Sequence, residues 1–239
     1  MGVDNIFYSY ERLGDVLLLR GEEYVHCVKV LRHVVGDVVY VTDGNGLLYE
    51  CVIRVMRKDL VECEVMLVKE YVGDRDYYLH IGISLTKNIS RFEFFLEKSV
   101  EIGVDEITIL NSERSEREKY RYERLEKILI SVCKQSLNYR FPVLNDILGF
   151  KELVDNSLSR GLDGYIAYNG LKYDKCWLGG NINRGGNYIV LIGPEGDFTD
   201  KEVEYAVSNG YKVLTLGLSR LRTETAGIYV VSAFKSLLY

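Results

Sequence analysis

Tyr188-Ile189-Val190-Leu191-Ile192-Gly193-Pro194-Glu195-Gly196-Asp197-Phe198-Thr199-Asp200-Lys201-Glu202 is the stretch that decides the fold. Its first five residues are apolar without alternation, the pattern of a strand covered on both faces. Gly193 and Gly196 then let backbone approach a ligand closely, and Pro194 stiffens the turn. Thr199-x-x-Glu202 is a capping box, so a helix is expected over Thr199–Asn209 with a stop at Gly210. A buried strand, a glycine-bearing loop and the free N–H groups of a helix form the kind of strand end where α/β sheets receive ligands.

The pattern repeats downstream. Val213–Leu216 is a short apolar strand, and Gly217-Leu218-Ser219-Arg220-Leu221-Arg222-Thr223-Glu224-Thr225-Ala226 follows it. The last helix is expected from about Thr225, with Val230, Ala233, Phe234 and Leu237 as its inner stripe. Upstream, Tyr77–Leu85 reads as a buried strand. Arg91–Ile102 reads as a helix with Phe92, Phe95, Leu96 and Val100 inside, Ser90 as N-cap and Gly103 past its end. Glu106–Leu110 is again a strand, which completes a β-α-β unit and implies a parallel sheet. Arg121–Leu137 is a helix with Leu125, Ile128, Leu129 and Val132 on one face, and Tyr165–Tyr168 is a further strand. Strands alternating with helices give an α/β domain over residues 73–239.

Residues 1–72 follow a different grammar. Val38–Thr42, Leu48–Val55 and Leu60–Leu67 are β-branched or alternating runs, with a tight hairpin signal, Asp43-Gly44-Asn45-Gly46, between the first two. Glu22–Leu31 is the one expected helix, so this part reads as a small β-rich domain.

Composition excludes several classes. Apolar residues make up 47% and charged residues 27% of 239 positions, ordinary for a globular chain with a sizeable core. No apolar run is long enough to span a membrane, and the opening MGVDNIFYSYERLGD is too polar for a signal peptide, so a cytoplasmic location is expected. Cys27, Cys51, Cys63, Cys133 and Cys176 are scattered and form no C-x-x-C pair. They are expected to be buried small apolar residues rather than disulfides or metal ligands, and no metal is expected. The net charge is −5, yet residues 111–140 hold 8 Lys/Arg against 5 Asp/Glu. Charge alone favours a solvated face there. Phosphate-loop, Rossmann, H-E-x-x-H and G-x-S-x-G motifs are all missing.

Recognition goes further than composition. Gly193-Pro194-Glu195-Gly196 with Phe198, and Leu216-Gly217 with Leu221-Arg222-Thr223-Glu224-Thr225-Ala226, resemble the G-P-E-G-G-F and L-G-x-R-x-L-R-x-E-T-A motifs of the RsmE-type 16S ribosomal RNA uridine-N3 methyltransferase family, within the SPOUT superfamily. Lys87, Arg91, Glu93, Lys98 and Glu101-Ile102-Gly103-Val104 resemble its middle segment, and Glu113-Arg114-Ser115 its E-R-S motif. Gln135-Ser136 with Pro142 is similar to E-Q-S-G-R…P. His26 to Arg32, Gly36-Asp37 and Asp43–Gly46 look like its PUA-like domain. The chain departs from the pattern at Asp197, where a second glycine is usual, at Ser219, where arginine is usual, and at Lys134, Leu137 and Asn138.

The resemblance implies a PUA-like β-barrel RNA-binding domain at residues 1–72 and a SPOUT methyltransferase domain at 73–239, with a parallel sheet and a trefoil-knotted cofactor site. It implies S-adenosyl-L-methionine as cofactor, held by Ile192, Gly193, Pro194, Gly196, Leu216, Gly217, Leu218, Leu221, Arg222, Thr225 and Ala226. Arg222 is expected to stabilise the reacting base, with Glu195 and Glu224 as weaker candidates for its proton. Glu224 reads equally well as a first-turn helix acid. Arg32, Lys87, Arg91, Arg114 and Arg140 are expected to contact RNA. The implied substrate is 16S rRNA or the 30S subunit, and the implied assembly is a homodimer. The competing readings are another SPOUT RNA methyltransferase or a non-catalytic RNA-binding ribosome-assembly protein.

Overall fold

The computed structural model describes residues 5–71, 75–116 and 119–238. It divides into two compact units, Met1–Asp74 with Ile130–Phe141, and Arg75–Leu129 with Pro142–Tyr239. The expected boundary near residues 72–75 lies mostly outside the described residues. The segment Ile130–Phe141, expected with the second domain, groups with the first unit.

The first unit is a six-stranded mixed sheet. Its strands are β1 (Phe7–Tyr8), β2 (Arg12–Leu13), β3 (Val16–Arg20), β4 (Val38–Thr42), β5 (Leu47–Arg57) and β6 (Leu60–Glu70), in the order β1-β4-β5-β6-β3-β2. Among the described residues only the β1–β4 pair of this sheet is parallel. The Asp43–Gly46 turn joins β4 to β5 as expected: Gly44 and Gly46 take positive φ, and the Asn45 N–H donates to Asp43 Oδ1 at 2.8 Å. Phe7, Leu17, Leu19, Val41, Tyr49, Ile53 and Val61 fill its core together with Cys27, Cys51 and Cys63. Burial pushes the Cys51 thiol up to about 12. Of the five cysteines, Cys176 departs from expectation, being only half-buried. The helix expected over Glu22–Leu31 changes character midway: α1 (Gly21–Val25) passes into a π turn over His26–Val30.

The second unit is a six-stranded, wholly parallel sheet. The expected strands are β7 (Tyr78–Ser84), β8 (Glu106–Asn111), β10 (Asp163–Ala167), β11 (Asn187–Ile192) and β12 (Lys212–Leu214), and β9 (Val143–Gly149) joins them at one edge. The order is β12-β10-β11-β7-β8-β9. Helices α2 (Ile89–Ile102) and α6 (Thr223–Leu238) pair on one face, and α4 (Phe150–Ser159) and α5 (Asp200–Ser208) pair on the other. Both faces are covered, which is why Ile81, Ile83, Ile107, Ile189, Val190 and Leu191 are all fully buried. Helix α3 (Tyr122–Gln135) starts in the second unit and ends in the first.

Several local expectations are corrected. The N-cap of α2 is Asn88, whose side chain accepts from the Ser90 N–H at 3.1 Å. Helix α6 starts at Thr223, and its buried stripe is Gly227, Val230, Val231, Phe234 and Leu238 at three- and four-residue spacing, with Leu237 half-exposed at its edge. Gly227 of α6 lies against α2 so closely that a Cβ would come within 2.4 Å of Phe95. The capping box of α5 is formed in both directions.

At the amino ends of β7, β8 and β9 a buried polar cluster locks the sheet. Arg160 donates to both carboxylate oxygens of Glu106, at 3.1 and 2.7 Å, and Tyr78 and Asn145 also donate to it. Burial alone would raise the Glu106 carboxyl, yet these donors and His80 hold it at about 2. Burial lowers His80 to about 4, so the ring beside it is neutral near pH 7.

Candidate active site

The chain turns at β11. The helix following β7 lies on one face and the helix following β11 on the other, so the carboxyl ends of these strands mark a topological switch point. A cavity of about 310 Å³ opens there. Its walls are the three loops that leave β10, β11 and β12, with Arg91 of α2 at the rim. Its size is within the range of small-molecule sites, roughly 300–1,000 Å³.

The first wall is Ile192-Gly193-Pro194-Glu195 with Asp197. Pro194 opens a turn in which the Asp197 N–H donates to the Pro194 carbonyl at 2.9 Å. Gly193 is needed for space, since a Cβ would meet Phe198 at 3.2 Å. Phe198 is buried under the loop against Phe150 and fixes it from below. Arg114 holds the outer edge, donating from Nη1 to the carbonyls of Gly196 and Phe198 at 2.8 and 3.3 Å. The Glu195 carboxylate accepts from the Lys87 backbone N–H at 3.0 Å.

The second wall is Leu214, Leu216, Gly217, Ser219, Arg220, Leu221, Arg222, Thr223 and Ala226. Gly217 takes φ 118°, a left-handed conformation that side chains resist. Two hydrogen bonds join this wall to the first. Thr223 Oγ1 donates to the Gly193 carbonyl at 3.0 Å, and Arg220 Nη2 donates to the Glu195 carbonyl at 2.9 Å. Helix α6 begins at this wall, which brings the positive end of its dipole to the cavity.

The third wall, Ala167-Tyr168-Asn169, was not anticipated. Tyr165–Tyr168 reads as a strand in the sequence, and the Asn169-Gly170 pair just beyond it was the available signal.

The expected site residues are distributed as follows. Ile192, Gly193, Pro194, Glu195, Leu216, Gly217, Leu221, Arg222 and Ala226 all line the cavity. Gly196, Leu218 and Thr225 are exposed and stand outside its wall, and Gly196 does not use a positive φ. Glu224 is buried behind the wall. Its Oε2 has no hydrogen-bond partner among the described residues, and its Oε1 lies 3.9 Å from Arg91 Nε. Arg222 is exposed, and among the described residues no side chain or carbonyl holds its guanidinium. Arg91 lines the cavity, Arg114 clamps the first loop, and Lys87 pairs with Glu116 at 2.8 Å. Arg32 and Arg140 belong to the first unit. Among the described residues no group of three His, Cys, Asp or Glu side chains could hold a metal ion.

Comparison with known proteins defines the class. Residues 74–235 match the RNA methyltransferase domain, and residues 19–66 match the RNA methyltransferase PUA domain. The mixed sheet of the first unit is therefore PUA-like, and the parallel sheet is the methyltransferase fold. Three relatives narrow this. The crystal structure of a probable rRNA-methyltransferase from Porphyromonas gingivalis is 34% identical, with a TM-score of 0.88 and 98% of each chain covered. That of ribosomal RNA small subunit methyltransferase E from Neisseria gonorrhoeae, bound to S-adenosyl methionine, is 30% identical, with a TM-score of 0.82 and 98% and 97% of the two chains covered. Ribosomal RNA small subunit methyltransferase E of Aquifex aeolicus is 29% identical over 95% of this chain and 97% of its own. The chain belongs to the RNA methyltransferase family, in the group of the ribosomal RNA small subunit methyltransferases E.

Proposed function

We propose that this protein transfers the methyl group of S-adenosylmethionine to N3 of a specific uridine in the 16S rRNA of the small ribosomal subunit. The observation that carries the reading is the cavity itself, three backbone-lined loops at the switch point of a parallel sheet, with Arg222 at its edge and no partner for its guanidinium among the described residues. The residues fit the cofactor. Gly193 and Gly217 leave backbone where side chains would intrude or be strained, Leu216 and Leu221 give apolar contact, and Asn169 and Ser219 offer polar groups.

When bound, S-adenosylmethionine supplies a methyl sulfonium that is already activated. The work left to the chain is alignment and charge. Ile192, Gly193, Pro194, Leu216, Gly217, Leu221 and Ala226 would hold the cofactor. The uracil N3 becomes nucleophilic only on losing its proton. Arg222, whose guanidinium has no partner among the described residues, would bind the resulting anion. Glu195, which lines the cavity, would accept the proton, with Glu224 the second candidate; the Oε2 of Glu224 is unpaired among the described residues. Lys87, Arg91, Arg32 and Arg140 are assigned to RNA, together with the PUA-like unit. Arg114 was expected among them, but its guanidinium is engaged with the loop. The trefoil-knotted threading of the cofactor loops, homodimeric assembly and a cytoplasmic location complete the proposal. No described helix is long and apolar enough to cross a membrane.

Calorimetric titration with S-adenosylmethionine tests the reading, since a non-catalytic RNA-binding protein would give no binding heat. Arg222→Ala tests the chemistry. Turnover is expected to fall at least about a hundredfold, the scale of losing one charge-stabilising donor, with cofactor affinity little changed. Unchanged turnover would remove Arg222 from the mechanism.

A further inference from the structure

Asp197 stands where the family motif has a glycine, and its backbone takes φ 63°, a conformation that disfavours a side chain. Glycine would meet this backbone at no cost. The aspartate brings something a glycine cannot. Its Oδ2 accepts from the Asn169 backbone N–H at 3.0 Å, and its Oδ1 accepts from the Phe198 N–H at 2.8 Å. Asn169 belongs to the loop leaving β10, and Phe198 to the loop leaving β11. Asp197 and Asn169 both line the cavity. The carboxylate therefore joins two walls beyond Ala167 and Ile192, where the β10–β11 pairing ends. The third wall is also tied to the second, where the Tyr168 N–H donates to the Leu214 carbonyl at 3.4 Å, and is held by two side-chain bonds. Tyr168 donates to Asp200 Oδ1 at 2.6 Å, and Lys175 Nζ donates to the Asn169 carbonyl at 3.0 Å.

We propose that Asp197 is a positioning residue for the cofactor: its carboxylate pins the Asn169 N–H so that the Ala167–Asn169 wall is pre-formed before S-adenosylmethionine binds. This rests on the proposed function of the cavity. A wall fixed in advance need not be ordered at the moment of binding, so the tie acts on affinity more than on folding. It is a charge-assisted bond at a loop, worth on the order of tenfold in an equilibrium that depends on it.

The test compares the parent with Asp197→Gly and Asp197→Asn by calorimetric titration with S-adenosylmethionine, hydrogen exchange at the Asn169 amide, and thermal midpoint. Asp197→Gly removes both acceptors and relieves the backbone. It is expected to raise Kd about tenfold and to speed Asn169 exchange, with little change in midpoint. Asp197→Asn tolerates the left-handed backbone and keeps one acceptor oxygen, so it should fall between the two. It also carries the test if the glycine variant fails to fold. Parent-like affinity in Asp197→Gly would overturn the proposal. So would weakened affinity with the Asn169 amide still protected, because the aspartate would then act by another route. If the parent itself gives no binding heat, the functional reading fails, and the exchange rate still reports whether the tie exists.

Discussion

Replacing Thr223 by valine removes one oxygen and keeps the shape of the side chain. Thr223 is 5% exposed, and its hydroxyl donates to the Gly193 carbonyl at 3.0 Å. The bond joins the first residue of α6 to the end of β11, and both residues line the cavity. A neutral hydrogen bond contributes about 1 kcal/mol net, but leaving its buried partner unsatisfied costs about 1–3 kcal/mol. Gly193 is itself buried, so the higher figure governs, and Thr223→Val should lose about 2 kcal/mol of stability by urea unfolding. The two walls also become free to separate, so the Kd for S-adenosylmethionine should rise at least about fivefold, equivalent to roughly 1 kcal/mol. Thr223→Ser retains the hydroxyl and should recover most of the affinity. A valine variant as stable and as tightly binding as the parent would refute the idea that this bond holds the two loops together.

Two further predictions concern other parts of the second unit. Arg114→Met should raise the cofactor Kd about threefold to fivefold, because it frees the carbonyls of Gly196 and Phe198, while the salt dependence of RNA binding stays the same; a slope reduced by about one would return Arg114 to phosphate contact. His80 predicts a pH dependence. Its folded pKa of about 4 lies below the ordinary 6.5, so between these values the unfolded state binds the extra proton and stability falls as pH falls. The loss should reach about 3 kcal/mol by pH 4, and unfolding curves of His80→Gln should lack that part of the decline. A parent and variant that differ equally at every pH would show the ring to be unperturbed.

The architecture was largely legible because its main strands are covered on both faces and its helices carry strong end signals. The Tyr188–Ile192 run and the Thr199–Glu202 box mark β11 and α5 without ambiguity. Strand β9 escaped because Val143–Gly149 is an edge strand with Asn145 and Asp146 inside it and a mostly half-exposed pattern. Helix α4 escaped because Gly149 gives it no side-chain cap. Of the site, the two glycine-bearing walls could be read from local sequence. The third could not, since Ala167–Asn169 reaches the cavity only because β10 lies between β11 and β12, an order set by the crossovers. The role of Arg114 was hidden for the same reason. Its partners lie more than eighty positions away in the chain, and an arginine holding carbonyls looks in sequence like one awaiting phosphate. Asp197 reads in the motif as a departure, and in the structure its carboxylate accepts from the backbone N–H groups of Asn169 and Phe198.

The most direct test of the account is transfer of a labelled methyl group from S-adenosylmethionine to small-subunit rRNA, offered both as naked 16S rRNA and as 30S particles, followed by nucleoside analysis and mapping of the modified position. A single site of incorporation is expected, recovered as N3-methyluridine and lost in Arg222→Ala. Label recovered on a ribose or on another base, or no transfer by a protein that binds the cofactor, would contradict it.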